Sequence, residues 1–427
     1  MLVVAAAVAI GGAWLSAGWA PFADAVTGGL APSDFPTDFV IAARRARGER
    51  AGTDVVTGND EARAAGAPTF IPVGAPFRAH PPPAVMLIRP LVGLGFRGAA
   101  LVWLALSLLA VAALAWIVTG VFVPETDRRF ARVWPVFAAL LLWPPVLHNF
   151  EKGQWSVPIA ALLAVAWVAA GRGWTGRAGA LIAAAGCFKV TPGVVLAALM
   201  GRPGRGRALA GAAATVMGLA LASALVMGPA YWADFLGASG VNTAGWQTAP
   251  ANTMSLWGVL SRLLIGGTFA TPAVVSPLAA RVLWIMCALG LIGAAITVTW
   301  REARRATRPP VPSARAFAAW SALAAILGPL AWTHTATWLL LPGALLLRES
   351  PVSSWRDDRV PLRLGALLAA FALLTIPRLR LFALAGALPV APLRGLALGL
   401  HLLGALLVFA VACTPPRRSG PRDDGAG

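Results

Sequence analysis

The sequence predicts an all-α fold, a polytopic integral membrane bundle of about 10–12 transmembrane helices with re-entrant and interfacial helices. Two compositional observations predict this class. Hydrophobic residues make up 58% of the 427-residue chain and charged residues only 12%, whereas a soluble domain is about half apolar and about a quarter charged. The mean hydropathy is +0.73. A third observation is the spacing of apolar runs of about 20 residues, each long enough to cross a hydrocarbon core of about 30 Å.

The N-terminal part begins with an apolar run over residues 2–20. No basic segment precedes this run, so it predicts a retained helix rather than a cleaved signal peptide. Residues 21–80 form a long polar extracytoplasmic loop, in which residues 38–47 predict a short interfacial helix. Residues 84–96 are apolar but short and broken by Pro90, which is typical of an interfacial or re-entrant segment.

The rest of the chain alternates apolar runs with short polar loops. Residues 1–413 are predicted to form a single transmembrane domain, and residues 414–427 a disordered basic cytoplasmic tail. Spanning helices are predicted over residues 99–123, 132–147, 155–170, 208–227, 281–300, 316–332, 334–347, 361–376 and 390–412.

The positive charge orients these helices. The net charge is +18, and the arginines collect in short loops, which is the positive-inside pattern. Placing these loops inside leaves residues 21–80, 148–155, 228–280 and 333–335 outside. Long loops such as the first are translocated regardless of their charge. No basic face alternates with aromatic residues, so a nucleic-acid partner is not expected. The expected partner of the apolar helices is the lipid bilayer.

The segment 178–200 conflicts with this orientation if it crosses once, because the arginines at 202–207 would then lie outside. The orientation holds if the segment enters and leaves on the same side. Pro192 interrupts a helix, so we predict two half-helices that meet at Lys189. A lysine at that depth must face protein or water.

Polar residues at the predicted outer face are candidates for function, because burying an unpaired ion in a bilayer is costly. They come from four loops and form one set: Asp34, Asp38, His80, His148, Asn149, Glu151, Lys152, Gln154, Asn242, Asn252, Arg262 and His334. Each histidine alone is more often a satisfied polar residue than a catalyst. The tryptophans fall mostly at predicted helix ends and are interpreted as interfacial anchors.

Metal and cofactor motifs do not occur in the sequence. There is no HExxH or His-x-His spacing, no Walker loop and no GxGxxG after a strand. The three cysteines lie in or at the end of apolar segments and suggest neither a disulfide framework nor metal ligands. We therefore predict no metal and no cofactor.

Asp38 has two interpretations. A carboxylate at a bilayer surface, beside an apolar wall that partly excludes water, can act as a base on a lipid-linked substrate. Alternatively, Thr37 or Asp38 caps the helix that follows.

The chain also resembles a known family through an ordered series of short motifs. The series is Asp38-Phe39-Val40, His80-Pro81-Pro82, Pro90-Leu91, Asn149-Phe150-Glu151-Lys152-Gly153-Gln154, Lys189-Val190-Thr191-Pro192, Asn252-Thr253-Met254-Ser255 and Trp332-Thr333-His334. In that order it resembles glycosyltransferase family 87, the polyprenyl-phosphate-mannose-dependent alpha-mannosyltransferases of the integral-membrane GT-C superfamily.

The resemblance implies a GT-C-like membrane fold with its active site on the extracytoplasmic face of the cell membrane. A hexose, most often mannose, would come from a polyprenyl-phosphate donor and go to a hydroxyl of a glycolipid or glycan acceptor. Asp38 matches the family's catalytic aspartate. The remaining candidates are predicted to bind substrate: Asp34, His80, His148, Asn149, Lys152, Gln154, Lys189, Asn252, Arg262 and His334. His80 departs from the family, which often has tyrosine before Pro-Pro.

The chemistry fits the residues independently of the resemblance. A sugar on a lipid phosphate already carries a good leaving group, so the enzyme needs a base for the acceptor and donors for the departing phosphate. A single base attacking opposite the phosphate implies inversion. Arg262 and Lys152 are cations that could pair with the phosphate, with His334 as a donor. Alternatively, the two cations snorkel to the interface.

Two other functions fit parts of the sequence. Lys189 and a broken helix also suit a transporter or flippase of a lipid-linked cell-envelope precursor. Against it, no internal repeat is evident and the polar set gathers at one face, whereas a carrier binds near the midplane. A non-catalytic scaffold would not need the clustered polar set.

Overall fold

The computed structural model describes residues 35–48, 80–124, 127, 130–245, 254–266, 271–272, 274–305, 313–328, 331–349, 359–376, 378–388 and 390–414. Within these ranges the regular structure is entirely helical, which confirms the all-α membrane class. The α-helices, in chain order, are α1 Phe35–Ala46, α2 Pro82–Ile88, α3 Gly95–Phe122, α4 Phe130–Leu141, α5 Pro144–Lys152, α6 Ser156–Gly171, α7 Thr175–Phe188, α8 Arg205–Met227, α9 Pro229–Gly245, α10 Leu256–Leu264, α11 Pro277–Arg305, α12 Ala314–Leu327, α13 Leu340–Arg348, α14 Arg359–Thr375, α15 Arg378–Ala387, α16 Ala391–Ala397 and α17 Leu400–Cys413. Three 3-10 helices join them at Arg89–Leu94, Thr191–Leu199 and Thr333–Leu339.

Several helices are long and apolar enough to cross a membrane. Among the described residues three qualify alone: the run Pro82–Phe122, which includes α2 and α3, and the helices α8 and α11. A fourth span is possible if α4 and α5, which meet at a bend of 64°, cross together. Four shorter apolar helices, α6, α12, α14 and α17, pack among them. The count of 10–12 spans stays a prediction.

Helix α12 lies at the centre of the bundle. Its residues from Arg315 to Ile326 are all buried, and most of them are small or aromatic. Small side chains let helices approach closely, which is how membrane helices gain packing energy without a hydrophobic driving force between them. The Trp320 indole donates to Thr299 Oγ1 of α11 at 2.9 Å. The site described below therefore rests against a tightly packed core.

Predicted inner loops meet at one end of the bundle. Arg315 Nε donates to Glu349 Oε2 at 2.8 Å, and Ser313 Oγ donates to Glu302 Oε2 at 3.0 Å. Burial raises the pKa of Glu349, and the charge of Arg315 acts in the opposite direction. Two loops that the arginine pattern placed on one side, 301–315 and 348–359, thus lie together.

The interruption predicted at Lys189 is confirmed. Helix α7 ends at Phe188, Lys189 has extended backbone (φ −153°, ψ 120°), and the 3-10 helix Thr191–Leu199 follows. Pro192 cannot donate a backbone hydrogen bond and sits at the start of this second half. At the open end, Thr175 lies within van der Waals reach of Gly204, just before α8. Both ends of the hairpin therefore lie at one level, as a re-entrant segment requires.

Close packing secures the hairpin against helix α8. A Cβ at Gly179 would overlap the carbonyl group of Ala208, and one at Gly211 would overlap that of Gly176. Only glycine permits backbones this near to each other, as in other membrane helix pairs.

We expect cysteines placed at Arg177 and Arg205 to react from the same side of the membrane. Both positions are exposed and flank the hairpin. In a variant whose native cysteines are changed to alanine, a membrane-impermeant maleimide should label neither from outside intact cells and both in inverted vesicles. Labelling of the two positions from opposite sides would show a single crossing and contradict the hairpin.

Several predicted helix boundaries were wrong. The predicted span 316–332 ends at Leu327, and the predicted span 334–347 is a 3-10 helix followed by α13. The predicted helix at 38–47 begins three residues earlier, at Phe35. The predicted span 132–147 breaks between α4 and α5, where Pro144 begins a new helix. The predicted span 390–412 is divided into α16 and α17 around Gly399. Apolar content alone did not reveal the last two breaks. The predicted first helix, most of the first loop and nearly all of the tail lie outside the described residues.

Candidate active site

Helix α1 carries Asp38 into the bundle. Phe35 and Phe39 are one helical turn apart, so they share a face. Their rings lie 6.0 and 5.4 Å from that of Phe96 in α3, and Phe35 also stacks on Trp103 at 5.8 Å. This aromatic contact fixes the helix against α3. As a result the side chain of Asp38 is turned inward and is only 1% exposed.

Two distant segments hydrogen bond to the Asp38 carboxylate. His80 donates twice, from its backbone N–H to Oδ1 at 3.0 Å and from Nδ1 to Oδ2 at 2.8 Å. The Trp155 indole donates to Oδ2 at 3.3 Å. Because α1 begins at Phe35, Asp38 lies inside the first turn with its carboxylate directed at other segments. The capping interpretation of Asp38 was therefore wrong.

The far edge of the His80 ring faces Gln154, with Nε2 3.3 Å from Oε1. Gln154 follows Gly153, which ends α5 in the left-handed conformation (φ 61°, ψ 38°), where glycine is favoured. The Trp103 indole donates to the Gly153 carbonyl at 3.1 Å and holds this turn. The Asn149–Gln154 motif thus positions its last residue through a glycine turn.

A second group of polar side chains surrounds the tip of the hairpin. Lys189 Nζ lies 3.3 Å from Nε2 of His334 and 5.8 Å from the centre of the Trp338 ring. The rings of His148 and His334 lie 5.2 Å apart. His334 is buried. We call this group the cationic cluster: Lys189 carries its positive charge, and α5, the hairpin and the 3-10 helix Thr333–Leu339 form it.

Two buried donors in this cluster have no hydrogen-bond partner among the described residues. Asn149 Oδ1 accepts from the backbone N–H of Val157 at 3.0 Å, which fixes the orientation of the amide, and its Nδ2 is unpaired. As an ammonium, Lys189 can only donate to His334 Nε2, so the ring proton of a neutral His334 is on Nδ1, which is also unpaired. Unsatisfied buried donors are costly and suit a ligand rich in acceptor oxygens.

The Asp38 group and the cationic cluster are continuous. The ring of Trp155 packs on Phe188 at 4.8 Å, immediately before Lys189. The indole of Trp338 donates to the Ser156 carbonyl at 3.1 Å. Residues 148–157 therefore connect the buried carboxylate to the group around Lys189.

Of the other predicted site residues, Glu151, Lys152 and Arg262 are described by the structure, and the rest lie wholly or partly outside the described residues. Lys152 forms an ion pair with Glu151 at 3.3 Å and is partly exposed. Arg262 is buried in α10 beside Gly395. Burial lowers the pKa of Arg262 to about 10, so it remains a cation at neutral pH. Asp34 and Asn252 lie outside the described residues, as does the side chain of Asn242.

Sequence reasoning missed the buried tryptophans. Trp103, Trp155 and Trp338 are 7%, 3% and 2% exposed and donate hydrogen bonds within the site, so they are not interfacial anchors. The position of Trp155 directly after the Asn149–Gln154 motif could have indicated that it belongs to the site. Across the described ranges, no three histidine, cysteine, aspartate or glutamate side chains converge as metal ligands would.

Comparison with models of protein families gives a match. A model of the family described as Glycosyltransferase family 87 matches residues 79–311, more than half of the chain. The match includes His80, the Asn149–Gln154 motif and Lys189, and it begins after Asp38. No curated protein and no solved structure matches the chain.

Proposed function

The chain belongs to glycosyltransferase family 87 and is therefore a membrane glycosyltransferase; from this premise we propose that it transfers a hexose, mannose, from a polyprenyl-phosphate donor to a hydroxyl of a glycolipid or glycan acceptor. One observation carries the proposal: a buried carboxylate, Asp38, lies beside a cationic cluster with unpaired donors. Base and leaving-group stabiliser are the two functions that this transfer requires.

Asp38 is the carboxylate of the general base that takes the proton of the acceptor hydroxyl. The acceptor hydroxyl gives its proton to this base, its oxygen forms a bond to C1 of the sugar, and the bond between C1 and the phosphate oxygen breaks. The bonding pair leaves with the phosphate. Attack opposite the phosphate inverts C1, so a beta-linked donor gives an alpha product.

The cationic cluster suits the departing lipid phosphate. Lys189 contributes a full charge, and the unpaired N–H groups of Asn149 and His334 can each donate to a phosphate oxygen. Charge-assisted hydrogen bonds to phosphate are about twice as strong as neutral ones. Fixed donors of this kind stabilise charge that develops in the transition state. Arg262 and Lys152 are further cations for the carrier phosphate, and Asp34 and Asn252 further substrate-binding candidates.

The proposed site lies on the extracytoplasmic face of the cell membrane. The predicted orientation places the loops of the site opposite the arginine-rich loops. Polyprenyl chains reside in the bilayer, so a site at the membrane surface receives both the carrier and an acceptor headgroup.

The proposal is tested with purified protein in liposomes, polyprenyl phosphate carrying a radiolabelled hexose, and extracted envelope lipids as acceptors. Transfer of label to an acceptor, with release of polyprenyl phosphate, is the expected result. Movement of labelled donor across the bilayer without transfer would instead select the flippase. Comparison of mannose with arabinose on the same carrier tests the sugar.

A further inference from the structure

We propose that Asp38 and His80 act as a dyad in which His80 Nε2, rather than a carboxylate oxygen, takes the proton of the acceptor hydroxyl. The inference rests on the proposed transferase function and assigns His80 a catalytic role in it. It starts from the 2.8 Å contact between His80 Nδ1 and Asp38 Oδ2.

Access to solvent separates the two residues. The Asp38 side chain is 1% exposed and that of His80 13%. Both oxygens of Asp38 already accept from His80, and Oδ2 also accepts from Trp155. Three of the roughly four acceptor sites of the carboxylate are therefore occupied, and the side chain is almost fully buried, so an acceptor hydroxyl has little access to Asp38 itself. The imidazole of His80 is the more accessible side chain of the pair.

The hydrogen bonds also set the tautomer of His80. An ionised carboxylate accepts only, so the hydrogen in the contact with Asp38 belongs to Nδ1. In a neutral ring, Nε2 then carries the lone pair. Asp38 thus orients the ring and stabilises the imidazolium that forms when Nε2 is protonated, as a buried aspartate does in serine hydrolases.

Gln154 can hydrogen bond to the His80 ring in both protonation states of the ring. Its amide presents N–H to a neutral Nε2 and oxygen to a protonated one, because rotation about the last side-chain bond exchanges the two ends. The separation from Nε2 is 3.3 Å, long enough to indicate a weak hydrogen bond. An acceptor hydroxyl can therefore displace the amide before the reaction, and the amide oxygen can accept from the imidazolium afterwards.

The acceptor O–H proton moves to His80 Nε2 while the acceptor oxygen bonds to C1 of the sugar. The C1–O bond to the phosphate breaks and its electron pair stays on the phosphate. The imidazolium, paired with the Asp38 carboxylate, loses its proton to water when the products leave.

The decisive variant is His80→Asn. The Asn amide nitrogen can take the place of Nδ1 and still donate to Asp38, but it cannot accept a proton. If His80 is the base, turnover should fall by roughly 10²–10⁴-fold, the usual contribution of general-base catalysis. His80→Gly should be similarly impaired, and added imidazole should restore turnover in proportion to its concentration.

The dyad is contradicted if His80→Asn retains turnover within a few-fold of the unaltered protein, or if imidazole does not restore His80→Gly. Asp38→Asn measured in parallel separates this failure from that of the transferase itself. An inactive Asp38→Asn beside an active His80→Asn leaves a single-aspartate transferase. Absence of transfer by the unaltered protein would overturn the transferase function.

His401→Asn is the matched control. His401 is buried in α17, where Nε2 lies 2.8 Å from the Ile376 carbonyl, and it has no part in the site. The expected cost of that variant is to thermal stability, with transfer by the folded protein unchanged. If His80→Asn behaved like this control, its effect would be structural and the dyad would be wrong.

Discussion

Asp38→Asn should reduce transfer by roughly 10²–10⁴-fold while the protein remains folded and binds donor. Asparagine keeps the size of the side chain, and its amide oxygen can still accept one of the hydrogen bonds from His80 or Trp155. It loses the charge, however, whether that charge takes the proton or stabilises a protonated His80. The measurement is kcat in the liposome assay, together with donor binding by equilibrium titration and the thermal midpoint.

Asp34→Asn is the control for that prediction. It removes the same charge four residues away, outside the Asp-Phe-Val motif; as a substrate-binding candidate it should raise KM and leave kcat close to that of the unaltered protein. Loss of turnover in the Asp34 variant with full activity in the Asp38 variant would show that Asp34, and not Asp38, is the essential carboxylate. Full activity in both would exclude a mechanism that depends on one aspartate.

The parts of the fold that sequence predicts are those that depend on composition and charge. The apolar content left no soluble alternative. The arginines at 202–207, with Pro192, predicted an interruption at Lys189 that the structure confirms. The breaks before Pro144 and at Gly399 were not predicted, because the runs around them are apolar throughout and hydropathy does not register a bend.

The candidate site was predictable as a set of residues but not as an arrangement. Asp38 and His80 are separated by 42 positions, and nothing local to either predicts that they share a hydrogen bond. Trp155 has an apolar body and one polar atom, so its sequence context fits an interfacial anchor and a buried donor equally well. The direction of the Asn149 amide depends on the N–H of Val157, a contact made across the start of α6.

Lys189→Met should lower transfer by about 10²–10³-fold, the scale observed when one preorganised stabiliser of developing negative charge is removed. Methionine has a similar length and flexibility, so the change removes the charge with little loss of volume. It also removes the donor to His334 Nε2, so the proton of His334 is no longer confined to Nδ1. A lysine that only snorkels would not contact a buried histidine and the Trp338 ring, so we do not expect the rate of transfer to stay close to that of the unaltered protein. The effect is measured as separate changes in kcat and in KM for the donor.

Lys152→Met is the matched comparison, because Lys152 is a cation on the same side of the predicted site but is partly exposed and paired with Glu151. An exposed ion pair contributes about 0–1 kcal/mol, so this variant should change transfer only a few-fold. The two variants share the substitution and the loss of one charge, and they differ in burial and in contact with His334. If Lys152→Met proved the more damaging, the phosphate would have to bind at the outer end of α5. If neither lysine variant changed transfer while Asp38→Asn was inactive, the role of Asp38 in activating the acceptor would be supported. The leaving phosphate would then have to bind elsewhere, and buried Arg262 would be the next cation to replace.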